Sequence, residues 1–385
     1  MASAHSESVA VFHNLSPECE GALLEASAAW QQKKFDAGYG AITWPREHGG
    51  AGLPVEYERA FETEEAAFET PETTELFGVT VRLIAATVAA YGTPEQQARF
   101  VRPLLRTEMF ACQLFSEPGA GSDLANLSCR AVRDGDEWVI DGQKVWTSGA
   151  QFAAYGELIA RTDFDLPKHA GMTAFLVPLD TPGIEVRPIR QMTGGTEFNE
   201  VFFTGVRVSD ALRLGAIGEG WKVTLTTLGF ERAGSGAGDR HIGGSFAQLL
   251  AAARQLARTD DPVVRQDLAD IYIRSRVLEL NAQRAGVAAR AGRAPGPEGS
   301  IGKLLWTQLL TRISDVATTV IGPHLVADTG GAGAYEWGEH ILGAPGYRIA
   351  GGSDEIQRNI IGERVLGLPA EPRVDKDTPF RVVNR

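Results

Sequence analysis

Two short stretches of this chain hold residue types able to do chemistry. In CQLFSEPGAGSDLA, residues 112–125, a glycine-rich turn follows an apolar run. Its backbone N–H groups, with the Ser116 and Ser122 hydroxyls, would hold anionic or carbonyl oxygens. The spacing is neither GxGxxG nor a P-loop, so taken singly it reads as an ordinary Gly-Pro turn. In WTSGA, residues 146–150, Trp146 would lie against a flat cofactor ring while a Thr or Ser hydroxyl donates to it. Taken singly, Trp146 reads as a core residue. The seven histidines, His5, His13, His48, His169, His241, His324 and His340, show no HxxxH or HxH spacing, so no metal site is expected. No GxSxG elbow is present, which leaves serine-hydrolase chemistry by that route unsupported. Cys19, Cys112 and Cys129 are an odd set without CxxC spacing, which implies neither a disulfide framework nor a thiolate zinc site and suits a reducing compartment.

The elements that must position these stretches fall into three regions. From Cys19 to Arg106 the apolar spacing is helical (ALLEASAAW, YERAFETEEAAFE, VTVRLIAATVAAYG, TPEQQARFVRPLLR), with WPREHGGAGLP at 44–54 as a loop. Thr93 before Pro94 predicts a capped helix start, and Gly92 the end of the preceding helix. Between Met109 and Asp210 the period becomes two. RAVRDGDEWVIDGQKVWTSG predicts a hairpin around Asp134-Gly135, and MTAFLVPLD, GIEVRPIR and NEVFFTGVRV predict further strands. From Gly218 long helices return, with RAPGPEGS at 293–300 and ADTGGAGAYEWG at 327–338 expected as connections. The expected architecture is α+β: an N-terminal helical domain at 1–108, a middle β-barrel or sandwich domain at 109–215, and a C-terminal helical bundle of four main helices at 216–385. The cleft where the three meet would take a cofactor.

Composition narrows the function classes. With 385 residues, 43% hydrophobic and 22% charged, the chain can bury a large core. A net charge of −12 argues against nucleic acid or anionic lipid as partner. No stretch reaches the roughly 20 apolar residues of a membrane span, and the N-terminus lacks a signal-peptide pattern. A cytoplasmic protein is expected.

Six stretches occur in an order that resembles the acyl-CoA dehydrogenase family: WPREHGGAGL, YGTPEQQARFVRPLL, FSEPGAGSD, DGQKVWTSGA, GGTEFNEVFFTGVRV and GGSDEIQRNIIGERVLGLP. The resemblance covers about Trp30 to Pro369. It implies bound FAD and α,β-dehydrogenation of an acyl-CoA thioester to the enoyl-CoA, as in fatty-acid β-oxidation. By motif, Gln113, Phe115, Ser116 and Gly121 match the stretch meeting the isoalloxazine and ribityl chain, and Trp146 and Ser148 the residues against the ring and near its N5. Ser122 matches the residue near the pantetheine arm, and Ser353 and Glu355 those on the adenosine side of FAD.

The family reaction uses a carboxylate that removes the α-proton while the β-hydride passes to flavin N5. Much of the family places that Glu in a Tyr-Glu-Gly-Thr segment, which here reads Ala350-Gly351-Gly352-Ser353. A glycine cannot accept a proton, so Gly351 would instead give room to substrate. A minority of the family carries the Glu on the first helix of the C-terminal bundle, just before an Arg. Leu228-Gly229-Phe230-Glu231-Arg232 matches that arrangement, which makes Glu231 the candidate base and Arg232 the candidate at the substrate entrance. On its own, Glu231 would read as a solvated helix carboxylate. The resemblance further implies electron-transfer flavoprotein as acceptor and a tetramer, either a homotetramer or an α2β2 heterotetramer. LARTDDPVVRQ lacks the family's Arg-x-x-Phe-Gly contact to a neighbour's FAD, leaving Arg258 or Arg265 to supply the charge. The alternatives kept beside this reading are a non-catalytic or half-site subunit and an acyl-thioester oxidase.

Overall fold

The computed structural model describes residues 8–12, 14–235, 242–290, 296–326, 334–372 and 375–383. The N-terminal helices are α1 (Pro17–Asp36), α2 (Val55–Glu65), α3 (Glu75–Gly78), α4 (Ala85–Tyr91) and α5 (Pro94–Leu105). Helix α5 begins as its sequence dictates: Thr93 and Gln96 form a capping box and Pro94 takes the first turn. Gly92 ends α4 in extended rather than left-handed backbone, φ −71°. It must still be glycine, because a Cβ there would come 2.6 Å from the Val88 carbonyl oxygen.

The stretch that reads as one helix from 79 to 91 opens with a π-helical segment, Val79–Ile84. Thr80 shows why the ladder loosens there. Its Oγ1 donates to the Leu76 carbonyl, 2.8 Å, and accepts from the Ala111 N–H, 3.0 Å, tying the helix to the start of the sheet.

The middle region is one eight-stranded sheet: β1 (Ala111–Leu114), β2 (Arg130–Asp134), β3 (Glu137–Ser148), β4 (Tyr155–Arg161), β5 (Met172–Pro178), β6 (Ile184–Ile189), β7 (Phe198–Ser209) and β8 (Arg213–Leu214). Its order is β6-β7-β3-β2-β4-β5-β8, with β1 parallel to β4. β2 and β3 form the expected hairpin, with Gly135 at φ +62°. The sheet curls over a shared core in which Trp138 of β3 meets Phe175 of β5 edge-on, 5.3 Å between centroids.

The C-terminal region holds α6 (Gly220–Ser235), α7 (Phe246–Gln255), α8 (Pro262–Arg290), α9 (Gly299–Ile321), α10 (Ala334–Tyr347), α11 (Asp354–Ile360) and α12 (Phe380–Val383). Of the two expected connections, 293–295 and 327–333 lie outside the described residues, and their C-terminal ends are helical. Residues 334–338 are the first turn of α10, because Trp337 buries itself against α9 and Val9, and Gly299 and Ser300 already belong to α9. Glycine and alanine dilute the helical pattern there, and tertiary burial overrides it. Among the described residues no helix is long and apolar enough to cross a membrane.

Two apolar clusters join the layers. Val223 and Phe230 of α6 pack with α4, α5 and β5. Trp221 and Leu228 of α6 pack on Phe115, Ala120, Ile159 and Met172, which seats α6 directly over the turn that follows β1.

Candidate active site

The turn after β1 is built on a buried ion pair. Glu117 and Lys144 are 7% and 0% exposed, with Nζ to Oε1 at 2.8 Å. Glu117 also accepts the Ser128 and Cys129 N–H groups at 2.7 and 2.9 Å, while Lys144 donates to the Phe115 carbonyl at 2.9 Å. Burial pushes the Glu117 carboxyl up most strongly, but Lys144 and the two backbone donors together outweigh it and hold the group below the usual range. No sequence motif marks Lys144 as the partner of Glu117. Its signal was parity: Lys144 falls in the same phase of β3 as the inward Trp138 and Ile140.

The pair fixes the turn against the end of β3, where the Val145 N–H donates to the Ser116 carbonyl, 2.9 Å. Between Lys144 and Thr147 the pairing with β7 is irregular, and Trp146 sits there at φ +61°. This turns Trp146 outward, 59% exposed, with the Phe198 ring edge-on at 6.0 Å, and turns Thr147 inward.

The residues of this patch fit a flavin. Gln113 Nε2 and Thr147 Oγ1 are buried polar atoms without a hydrogen-bond partner. No heavy atom of the rest of the chain approaches where a Cβ would stand on Gly119 or Gly121, so a ligand can reach that backbone. Trp146 offers an open aromatic face. Ser116 and Ser148 are half-buried beside it, and Ser122 is exposed on the outer side of the turn. Phe115 departs from its expected place. Its ring, 6% exposed, belongs to the core under α6, and its carbonyl is taken by Lys144, so the side chain does not face this patch.

The second cluster lies where α6 meets the segment before α11. Gly351 has φ +64°, and a Cβ built on it would stand 3.1 Å from Glu231 Oε1. Glu231, half-buried one turn beyond Leu228, therefore places its carboxylate beside position 351 from the helix side. The segment is held from behind. Lys303 Nζ donates to the Gly352 carbonyl at 2.7 Å, and Gln357 Nε2 to the Gly351 carbonyl at 2.9 Å. Asp354 accepts from Arg348 at 2.8 Å and from Thr307 at 3.0 Å. Burial pushes the Lys303 ammonium down, while the Asp354 and Glu231 carboxylates pull it back up, so a cation faces Glu231 across the segment.

Ser353 and Glu355 play the parts their sequence context allows locally. Ser353 caps α11, its Oγ accepting from the Ile356 N–H at 3.3 Å, and Glu355 pairs with Arg358 at 3.4 Å. Arg232 lies on α6, but its side chain is outside the described residues. Of the two alternative arginines, Arg258 is spent on Asp261, 3.7 Å, whereas Arg265 lines a cleft of about 460 Å³ between α7 and α8 with Arg254, Thr259 and Tyr272.

Comparison with known proteins shows the family of the chain. Family models of the acyl-CoA dehydrogenase N-terminal, middle and C-terminal domains match residues 17–108, 112–206 and 218–366. Acyl-CoA dehydrogenase IpdE1 of Mycobacterium tuberculosis is 42% identical over 361 residues, 93% of this chain and 92% of that relative. Acyl-CoA dehydrogenase FadE34 of the same organism is 37% identical over 92% of this chain and 49% of its own length. Among solved structures, the Tcur3481-Tcur3483 steroid ACAD superposes with a TM-score of 0.75 at 27% identity, covering 93% of this chain and 94% of that one. The ChsE4-ChsE5 complex of Mycobacterium tuberculosis superposes at 0.72 with 29% identity, covering 92% and 94%. With all three of its layers matched in order, the chain belongs to the acyl-CoA dehydrogenase family of FAD-dependent oxidoreductases.

Proposed function

We propose that this enzyme oxidises an acyl-CoA thioester to the enoyl-CoA with Glu231 as the base that takes the α-proton. The observation that carries this is the placement of Glu231 Oε1 against Gly351, so that the carboxylate reaches, from α6, the place a base at 351 would serve. Bound FAD supplies the acceptor for the β-hydride. Gln113, the backbone around Ser116 and Gly121, Thr147 and Ser148 would hold and orient the ring, and Trp146 would lie against it. Ser122, by its motif, serves the pantetheine arm, and Arg232 is by its motif the candidate for the substrate entrance. Substrate closing over the carboxylate would expel water and strengthen it as a base, while Phe230 anchors this part of α6 in the core with α4, α5 and β5. Ser353 and Glu355 border the adenosine end, and Arg265 is the better placed of the two arginines to meet a neighbour's cofactor.

The functional unit is an oligomer, with domain boundaries near 108 and 215, working in the cytoplasm and passing electrons to an electron-transfer flavoprotein. The steroid ACAD and the ChsE4-ChsE5 complex favour two unlike chains and a bulky acyl group. Glycines at 351 and 352 leave the room that such a group needs. Helix α8 offers a face for assembly: Ile273, Val277 and Leu280, spaced by four and three, are 59%, 46% and 55% exposed. The test is anaerobic titration of the flavin-loaded protein, with its partner chain where one is needed, against a panel of acyl-CoA thioesters. Bleaching by wild type and none by Glu231→Gln supports the proposal. Equal bleaching by both removes Glu231 from the reaction.

A further inference from the structure

Glu157 of β4 is a buried carboxyl for which the reaction above has no use. It is 0% exposed, and its Oε1 lies 2.7 Å from the Thr227 hydroxyl of α6, which in turn lies 2.8 Å from the Thr87 hydroxyl of α4. Thr87 closes the series by donating to the Leu83 carbonyl at 2.9 Å. On its other side Glu157 is the register partner of Gln113 across the parallel β1–β4 pair, so the two side chains leave the sheet on the same face about 5 Å apart. Each carries a buried atom without a partner, Gln113 Nε2 and Glu157 Oε2. Thr227 precedes Glu231 by four residues, one turn along the same face of α6.

We propose that Glu157 is a positioning residue: it ties the strand that presents Gln113 to the flavin to the helix that presents Glu231 to the substrate, and so sets the distance between hydride acceptor and base. This rests on the reading of Glu231 as base and of Gln113 as a flavin contact. Burial pushes the Glu157 carboxyl up to about 8, against a smaller downward pull from Thr227. At neutral pH it therefore holds its proton, while the Thr227 hydroxyl donates to its Oε1 at 2.7 Å and has the Val223 carbonyl as a second acceptor at 3.2 Å. Ionisation would bury a charge whose Oε2 has no hydrogen-bond partner among the described residues, and so would loosen the tie.

The groups that face Glu157 are Thr87 from α4, Thr227 from α6, Gln113 from β1 and Leu176 from β5. The titratable residues on those elements and on β4 itself are Tyr91, Lys222, Glu231, Arg232, Cys112, Tyr155 and Arg161. Among those whose side chains are described, none contributes to its shift.

The experiment compares Glu157→Leu, Glu157→Gln and Glu231→Gln as flavin-loaded protein. The readouts are the visible spectrum, the rate of flavin reduction at saturating thioester, and its pH profile. Glu157→Leu is expected to keep the flavin but with a perturbed spectrum, and to slow reduction about 10- to 100-fold, the cost of misplacing reacting groups by about 1 Å. Its KM should change little. Glu157→Gln, a neutral isostere, is expected to rescue the rate and to lack the alkaline fall near pH 8 expected of wild type. Wild-type rate and spectrum in Glu157→Leu overturn the proposal, and so does an alkaline limb unchanged in Glu157→Gln, which also serves if the leucine variant does not fold. Reduction by Glu231→Gln at the wild-type rate would instead sink the underlying reading of the base, so the two failures are distinct.

Discussion

Gly351→Ala tests the active-site geometry with one methyl group. The backbone at 351 has φ +64°, a conformation that costs a residue with a Cβ about 1–2 kcal/mol. The new Cβ would stand 3.1 Å from Glu231 Oε1, so the carboxylate must give by a few tenths of an ångström. The fold should survive with a small loss of stability. The reaction should suffer more, because a displaced base loses alignment with the α-proton, and misplacement approaching 1 Å costs about 10²-fold. The expected result is a flavin spectrum close to wild type with anaerobic reduction slowed about 10- to 100-fold. Gly351→Glu extends the test. Two carboxylates about 4 Å apart repel by about 4 kcal/mol at an effective dielectric of 20, so one of them would hold a proton at neutral pH and the single variant should be impaired. In the Glu231→Gln background that repulsion is absent, and the new carboxylate should restore part of the activity. Wild-type rates in Gly351→Ala, with the expected loss of stability, would refute the argument that Glu231 acts from this position.

Lys144→Met should destabilise the protein by about 3–5 kcal/mol in denaturant unfolding, because it leaves the Glu117 carboxylate buried without its cation. Flavin affinity should fall with it; unchanged stability would show that the pair is not what holds the turn. Val277→Asp, at the centre of the exposed α8 stripe, should shift the oligomer towards smaller species by light scattering while leaving the chain folded. Stability should also depend on pH through Glu157. Its folded value of about 8 lies above the 4.5 of an ordinary Glu, so between those values the folded chain holds a proton that the unfolded chain has lost. Stability therefore falls as pH rises through that window, by up to about 1.4 kcal/mol per pH unit. Glu20, pushed up to about 7 by burial and by Glu197, acts with the same sign below about 7. Glu157→Gln should therefore flatten the slope most on the alkaline side, above pH 7.

Much of the architecture was legible from local rules. The period of apolar residues, helical to 105, alternating from 111 and helical again from 220, is a direct consequence of which face each element buries. The capping box at Thr93 and the hairpin at Gly135 follow from local chemistry alone. The order of motifs carries the family resemblance, and a glycine at 351 together with the Glu231-Arg232 pair makes Glu231 the candidate base.

Other features depend on contacts between distant segments. Alternation along β3 puts Trp146 in the inward phase with Trp138, Ile140 and Lys144. Only the irregular pairing with β7, set by how the sheet closes over its core, turns it out towards the flavin patch and turns Thr147 in. Phe115 looked like a cofactor contact, but α6 lands on it through Trp221 and Leu228 and draws it into the core. Glu157 gave no signal at all, since a Glu in an apolar strand has no meaning until Thr227 and Thr87, 70 residues after it and 70 before it, are folded onto it. The sequence by itself determined the elements, their order and the residue types brought to the site, because periodicity, capping and turn chemistry act within a few residues. Which side chain faces which was decided by the tertiary structure, because register, bulges and helix docking are settled by burial between segments far apart in the chain.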